Sequence, residues 1–250
     1  MSTFINTYNQ ILDMNGMSYY KDKGEKFEAL FTSLVETNKL FNLTAVTDEQ
    51  GVAGLHFADS LMAMEYITKT KASNLDKKQL LTSILDVGCG AGFPCLPIAI
   101  ADPELSVTGV DSTAKKTEFS NSFAKANGIE NFRSISGRAE ELAKTDMRES
   151  YDLVTARAVS RLNVLCEITL PFVKVGGYFL AMKGSKGKEE YEEAKKGIEI
   201  LGGKLISIEE KELILPNETQ KRGLILVKKV KNTEQKYPRA YGKIVKSPLK

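Results

Sequence analysis

The first 67 residues set apolar positions at a helical period. Phe27, Leu30, Phe31 and Leu34 follow an i, i+3, i+4, i+7 spacing, which makes one apolar stripe on an amphipathic helix. A second stripe runs through Leu55, Leu61, Met62, Met64 and Ile67. Between them lies the polar segment NLTAVTDEQ (42–50), in which Thr47 or Asp48 is placed to cap the next helix. Residues 68–80 are polar and weakly periodic and read as a linker. From residue 82 the pattern changes. Short apolar runs stand at 83–87, 106–110, 153–156 and 178–182, with helical stretches near 94–101, 113–126, 161–174 and 187–201. Such alternation predicts a parallel sheet with helices on both faces. After Gly202-Gly203 two strand-like segments, 204–215 and 223–230, flank a polar turn at 216–222 and predict an antiparallel hairpin. The organisation expected is a helical extension and linker (1–80), an α/β domain (81–230) and a C-terminal tail (231–250).

The sharpest local signal is SILDVGCGAGFP (83–94), where a strand run ends in Asp86 and Gly88, Gly90 and Gly92 then alternate before a helix. Glycines let the backbone turn sharply and approach a ligand, and the helix start offers free N–H groups. A dinucleotide fingerprint needs its third glycine at position 93, which is Phe93. An acid two places before the first glycine would repel a pyrophosphate, whereas it suits a cationic amino-acid moiety such as that of S-adenosylmethionine. A second acid, Asp111, closes the next strand run 25 residues after Asp86, near the spacing of an acid that binds ribose hydroxyls. The reading is S-adenosylmethionine, against a dinucleotide or a purely structural turn.

Composition narrows the chemistry. The chain has 250 residues, enough to bury roughly 70–75% of its unfolded surface without covalent staples. Three cysteines without paired spacing predict a reducing, cytoplasmic setting. With one histidine, His56, they leave little for a zinc site or a nucleophilic triad, so no metal is expected. No apolar run reaches the ~20 residues of a membrane span, and the N-terminus lacks a signal peptide's pattern. The net charge of +3 is segregated: residues 228–250 carry +7, leaving −4 for residues 1–227. That tail, with Tyr237 and Tyr241, reads either as a phosphate-facing arm or as a solvated terminus.

At the glycine loop the sequence resembles the class I methyltransferases. Further motifs narrow this to the bacterial small-subunit ribosomal RNA methyltransferase G family, also called glucose-inhibited division protein B. They are NLTAVTD (42–48), HFADSL (56–61), DVGCGAGFPCLP (86–97), GRAEEL (137–142), YDLVTARAVSRL (151–162), AMKG (181–184) and KYPRAYG (236–242). The resemblance covers nearly the whole chain. It implies a Rossmann-like α/β fold with a mostly parallel seven-stranded sheet. It also implies methyl transfer from S-adenosylmethionine to N7 of a guanine in 16S rRNA, by a monomer acting on rRNA or the small ribosomal subunit. Residues carried over are Gly88 and Phe93 as cofactor contacts, Ala139 and Glu140 at the adenine end, and Arg157 beside the transfer site. The tail departs from the family's form: Ala240-Tyr241 stands where a Lys-Pro pair is common.

Guanine N7 has an exposed lone pair and no proton, so its methylation needs no general base, only orientation. Cytosine C5 methylation would need a cysteine near the fourth strand. That stretch reads TARAVS, and the Asn/Asp-Pro-Pro-aromatic motif of amine methylation is also missing. The cofactor set expected is Asp86, Gly88, Gly90, Gly92, Phe93, Asp111, Ala139, Glu140 and Arg157. RNA candidates are Arg161, Lys183, Tyr237 and Arg239. For Arg161 and Lys183 a solvated surface role weighs equally, and His56 reads as a packed or capping residue or a substrate contact. Rival functions are a small-molecule or protein methyltransferase on the same fold, and a non-catalytic RNA-binding protein.

Overall fold

The computed structural model describes residues 2–73 and 81–249. Its centre is a seven-stranded sheet in the order β3-β2-β1-β4-β5-β7-β6. The strands are β1 (Ser83–Val87), β2 (Ser106–Asp111), β3 (Phe132–Ser136), β4 (Tyr151–Arg157), β5 (Val173–Lys183), β6 (Gly203–Ile214) and β7 (Thr219–Lys229). The first five pair in parallel, and β7 is antiparallel to both β5 and β6. This is the predicted parallel sheet with a terminal antiparallel hairpin.

Among the described residues ten α-helices surround it. They are α1 (Thr3–Met14), α2 (Gly24–Asn38), α3 (Glu49–Gly51), α4 (Asp59–Ser73), α5 (Cys95–Ala101), α6 (Ala114–Ala126), α7 (Ala139–Leu142), α8 (Leu162–Thr169), α9 (Gly187–Ile200) and α10 (Tyr241–Lys246). Val52–Ala58, between α3 and α4, is π-helical. None of the described helices is long and apolar enough to cross a membrane.

Successive strand residues point to opposite faces, and both faces are covered. Ile84, Leu153, Leu180 and Leu224 pack with the N-terminal helices in one core; Leu85, Val154, Phe179 and Ile225 pack with α8 and α9 in the other. The 27–34 stripe is part of the first core: Phe27, Leu30 and Leu34 are fully buried, and Phe27 stacks on Tyr8 at 4.9 Å. The N-terminal helices therefore form one side of the sheet's own core. Asp48, not Thr47, makes the expected cap, accepting the Gly51 N–H at 2.8 Å.

Several boundaries differ from expectation. The helix ending the 55–67 stripe continues to Ser73, so 68–73 are helical, and the rest of the expected linker, 74–80, lies outside the described residues. Strand β3 escapes the pattern because it is short and half exposed at the sheet edge. Helix α8 ends at Thr169, before the Leu170–Phe172 turn that carries Pro171, and β5 begins earlier than its apolar run suggests. Strand β7 likewise starts at Thr219, so the hairpin turn is shorter than 216–222.

The tail is docked rather than extended. Tyr237 and Ile244 are buried in the second core. The Arg239 guanidinium grips the fully buried Glu167 carboxylate at 2.6 and 2.8 Å. Arg148 donates to the carbonyls of Tyr237 (2.9 Å) and Thr233 (2.7 Å). Lys229 is fully buried against Glu149 (3.2 Å) and the Leu170 carbonyl (2.7 Å), and burial pushes its ammonium down to about 8. Two of the eight basic residues of the tail segment, Lys229 and Arg239, are thus paired with carboxylates of the body, so the tail is anchored to the fold and is not a free arm.

Candidate active site

The strand order reverses between β1 and β4, and ligands of open α/β sheets bind at such a switch point, at the strands' carboxyl ends. The glycine loop emerges from β1 here. Gly88 N–H and Cys89 N–H both donate to the Val110 carbonyl (2.7 and 3.0 Å), and Gly90 N–H donates to Asp111 Oδ2 at 2.9 Å. The other Asp111 oxygen accepts the Thr113 N–H at 2.8 Å. The end of β2 therefore holds the loop in place. Gly88 has φ +75°, and any side chain there would run into Val159 of the β4–α8 connection. Ala158, which follows β4, also has positive φ, at 55°. Backbone of this kind costs about 1–3 kcal/mol at a non-glycine residue and concentrates at ligand sites.

Two cavities open on either side of this loop and share Gly88, Gly90 and Ala158. The smaller, about 380 Å³, is walled by Asp111, Ser112, Lys116, Ala139, Glu140 and, from the tail, Tyr241. The larger, about 480 Å³, is walled by Leu43, Thr44, Leu55, His56, Phe93 and Met182, with Asp59, Arg157, Lys183, Glu190 and Arg222 as its charged groups.

Charged groups of the larger cavity are paired with one another. Asp59 accepts Arg157 on Oδ2 at 2.8 Å and Arg222 on Oδ1 at 2.7 Å; all three side chains are largely buried. Arg157 also donates to the Leu55 carbonyl at 2.7 Å, and its guanidinium stands 6.0 Å from the Phe93 ring centre. The Leu55 carbonyl lies in the π-helical turn, and such turns recur at functional sites. Lys183 donates to the Ser160 carbonyl (2.6 Å) and pairs with Glu190 (2.9 Å), which in turn accepts the first amide of α8 at 2.7 Å.

The sequence-predicted residues divide. Gly88, Gly90, Phe93, Asp111, Ala139, Glu140, Arg157 and Lys183 line the cavities. Gly92 lines neither: a side chain there would collide with Leu96, so this glycine serves helix packing. Asp86 also lies beneath the wall. It is fully buried, and Oδ1 accepts the Thr155 hydroxyl at 3.1 Å. Burial pushes its carboxyl up to about 7, against the opposing pull of Cys95, Thr155 and the Arg157 charge. Arg161 turns away to an exposed pair with Glu193 at 2.6 Å. Tyr237 and Arg239 are turned into the fold, so neither side chain presents itself as an RNA contact. Asp59, Glu190, Arg222 and Tyr241 were not singled out as cavity residues by the pattern. Asp59 lies within the HFADSL motif, and the other three meet the site only through tertiary folding.

The one histidine of the cavity is held in its neutral form, and the cysteine nearest the fourth strand in sequence is buried away from both cavities. Burial and the nearby Arg157 charge push the His56 imidazole down to about 4, so it is neutral at pH 7. Cys166 is buried in α8, and burial with the neighbouring Glu167 charge pushes its thiol up to about 12. Among the described residues no group of three or more His, Cys, Asp or Glu side chains could hold a metal ion.

The family model for rRNA small subunit methyltransferase G matches residues 23–237. Curated relatives of that name extend over most of the chain. The protein from Staphylococcus carnosus is 47% identical over 90% of both chains, and that from Staphylococcus saprophyticus is 43% identical over 96% of both. A more distant relative, from Clostridium tetani, is 40% identical over 94% of both. With the family model matched over residues 23–237 and these relatives aligned nearly end to end, the chain belongs to the rRNA small subunit methyltransferase G family.

Proposed function

We propose that the protein transfers a methyl group from S-adenosylmethionine to N7 of a guanosine in 16S rRNA. The observation that carries this reading is the pair of adjoining cavities at the switch point, one walled by Asp111, Ala139 and Glu140 and the other by apolar side chains and paired charges. When bound, S-adenosylmethionine supplies an electrophilic methyl group on a sulfonium sulfur. The smaller cavity fits its adenosine part: Asp111 is pinned by two backbone N–H groups and keeps lone pairs for ribose hydroxyls, beside Ala139 and Glu140. Buried Asp86 lies one layer below, where its Oδ1 accepts the Thr155 hydroxyl and burial favours its neutral form.

The larger cavity is suited to the acceptor base. Guanine N7 is already a nucleophile, so the protein need only hold it in line, and effective molarities of well-oriented reactions account for several kcal/mol of barrier. Leu43, Leu55, Phe93 and Met182 supply apolar walls that exclude water. The positive charge that leaves the sulfonium sulfur arrives on the purine, so the transfer itself creates no new net charge. Asp59 and Glu190 fix Arg157, Arg222 and Lys183 in place around the cavity. Those three cations against two carboxylates leave the cavity net positive, which favours a phosphate-bearing acceptor.

The decisive experiment incubates the protein with labelled S-adenosylmethionine and rRNA from a strain lacking the modification, then maps 7-methylguanine by borohydride–aniline cleavage. Label at a single guanosine of 16S rRNA is expected. Label confined to small metabolites or protein, or no transfer, would overturn the reading.

A further inference from the structure

We infer that Tyr241, a residue of the C-terminal tail, is the adenine platform of the cofactor cavity, so that this part of the tail serves the cofactor. The inference rests on the smaller cavity being the adenosine subsite.

Three observations carry it. First, Tyr241 lines that cavity together with Asp111, Ala139 and Glu140, although eleven residues separate it from the last strand. Second, its position is fixed from both sides. Arg239, two residues earlier, is locked on buried Glu167, and Ile244, three residues later, is fully buried in the second core. Glu167 is followed by Ile168, itself part of the same cavity wall, so the tail's anchor and the cavity share one turn of α8. Third, Tyr241 remains 38% exposed despite this anchoring, one of few large apolar side chains left open. An aromatic side chain has few rotatable bonds, so one carried on an anchored backbone loses little entropy when a base packs on it, and base–aromatic stacking is a substantial contribution. Lys116 and Arg138 complete the rim, so the aromatic surface has polar neighbours on its open side.

The test is calorimetric titration of the full chain with S-adenosylhomocysteine, which carries the adenosine part without the reactive methyl group. Tyr241→Phe should bind like the parent. Tyr241→Leu, which keeps apolar cover without a ring, should bind about threefold to tenfold more weakly, and Tyr241→Ala at least tenfold. The unfolding midpoints of all variants should stay within a degree or two of the parent. In turnover assays the KM for S-adenosylmethionine should rise in Tyr241→Ala while the KM for rRNA is unchanged. Equal affinity of the parent, Leu and Ala chains for S-adenosylhomocysteine would overturn the inference, as would a rise confined to the KM for rRNA. A parent chain that fails to bind S-adenosylhomocysteine would instead overturn the methyltransferase reading, and this inference with it.

Discussion

The rings of His56 and Phe93 lie stacked, 4.7 Å between centroids and 12° from parallel. Nε2 of the same imidazole is within hydrogen-bond distance of the Thr44 hydroxyl, at 2.8 Å. Neutral at pH 7, made weakly basic by burial and stacked on an aromatic wall, His56 is placed to shape the cavity. His56→Phe, which keeps the stack, should therefore reduce single-turnover methylation by no more than about threefold at pH 7.5. General-base roles are worth about a hundredfold or more. A hundredfold loss with unchanged folding would show that the imidazole takes part in the chemistry.

Asp86 and His56 pull the pH dependence of stability in opposite directions. The folded carboxyl of Asp86 is raised to about 7, so the folded state binds its proton more tightly than the unfolded chain. Its contribution is full below pH ~4, the unfolded carboxylate value, and is lost as pH rises towards about 7. The folded imidazole of His56 is lowered to about 4, so its contribution is present above pH ~6.5, the unfolded value, and is lost as pH falls through that range. Asp86→Asn should accordingly raise stability at pH 8 by on the order of 2 kcal/mol. Each pH unit between the folded and unfolded values is worth about 1.4 kcal/mol, and the buried amide offsets part of that gain because it too needs partners. Removing the histidine titration with His56→Gln should expose a steady fall in stability between pH 4 and 7. Urea unfolding across pH 4–8 measures both, and a parent-like pH profile in Asp86→Asn would count against the buried carboxyl as its source.

Asp59 separates two buried cations, and its removal should be costly. Taking one partner from a buried ion pair leaves an uncompensated charge and costs about 3–5 kcal/mol. Asp59→Ala should lower the unfolding midpoint by roughly 6–20 °C in a chain of this size. Adding Arg222→Met should recover part of that loss, because one stranded guanidinium is removed with it. Calorimetric scans of the single and double variants decide this; a double variant no better than Asp59→Ala would mean that Arg222 finds another partner.

These predictions draw on relationships of differing legibility. The glycine loop, Asp111 and the strand–helix alternation are local patterns, and the sheet's two-faced burial follows from its apolar runs. Arg157 was legible because β4 ends on it. Arg222 was not: its link to Asp59 spans 163 residues, and in sequence it belongs to a polar turn. Strand β3 was hidden by its exposed edge position. The tail misled most, because charge counted along the chain does not register that buried Lys229 meets Glu149 and that Arg239 meets buried Glu167. Asp86 shows the same limit in reverse: its spacing places it at the loop, but only packing shows that it lies beneath the cavity wall.

The docked tail makes truncation a test of architecture. A basic arm that only touched RNA could be removed with cofactor binding intact. Removal of residues 236–250 here strips Tyr237 and Ile244 from the second core and leaves Glu167 buried without its guanidinium. Burying an unpaired carboxylate and losing two apolar anchors each cost several kcal/mol. The truncated chain should unfold at a lower midpoint by at least about 10 °C and bind S-adenosylhomocysteine weakly even where it is still folded. Glu167→Gln in the truncated chain should restore part of the stability, because the stranded charge is gone, but none of the affinity, because Tyr241 is still missing. Circular dichroism melts and calorimetric titration, run side by side at 15 °C, read the two effects separately. A truncated chain with parent-like stability and affinity, and a loss only in rRNA binding, would return the tail to the role its charge alone suggests.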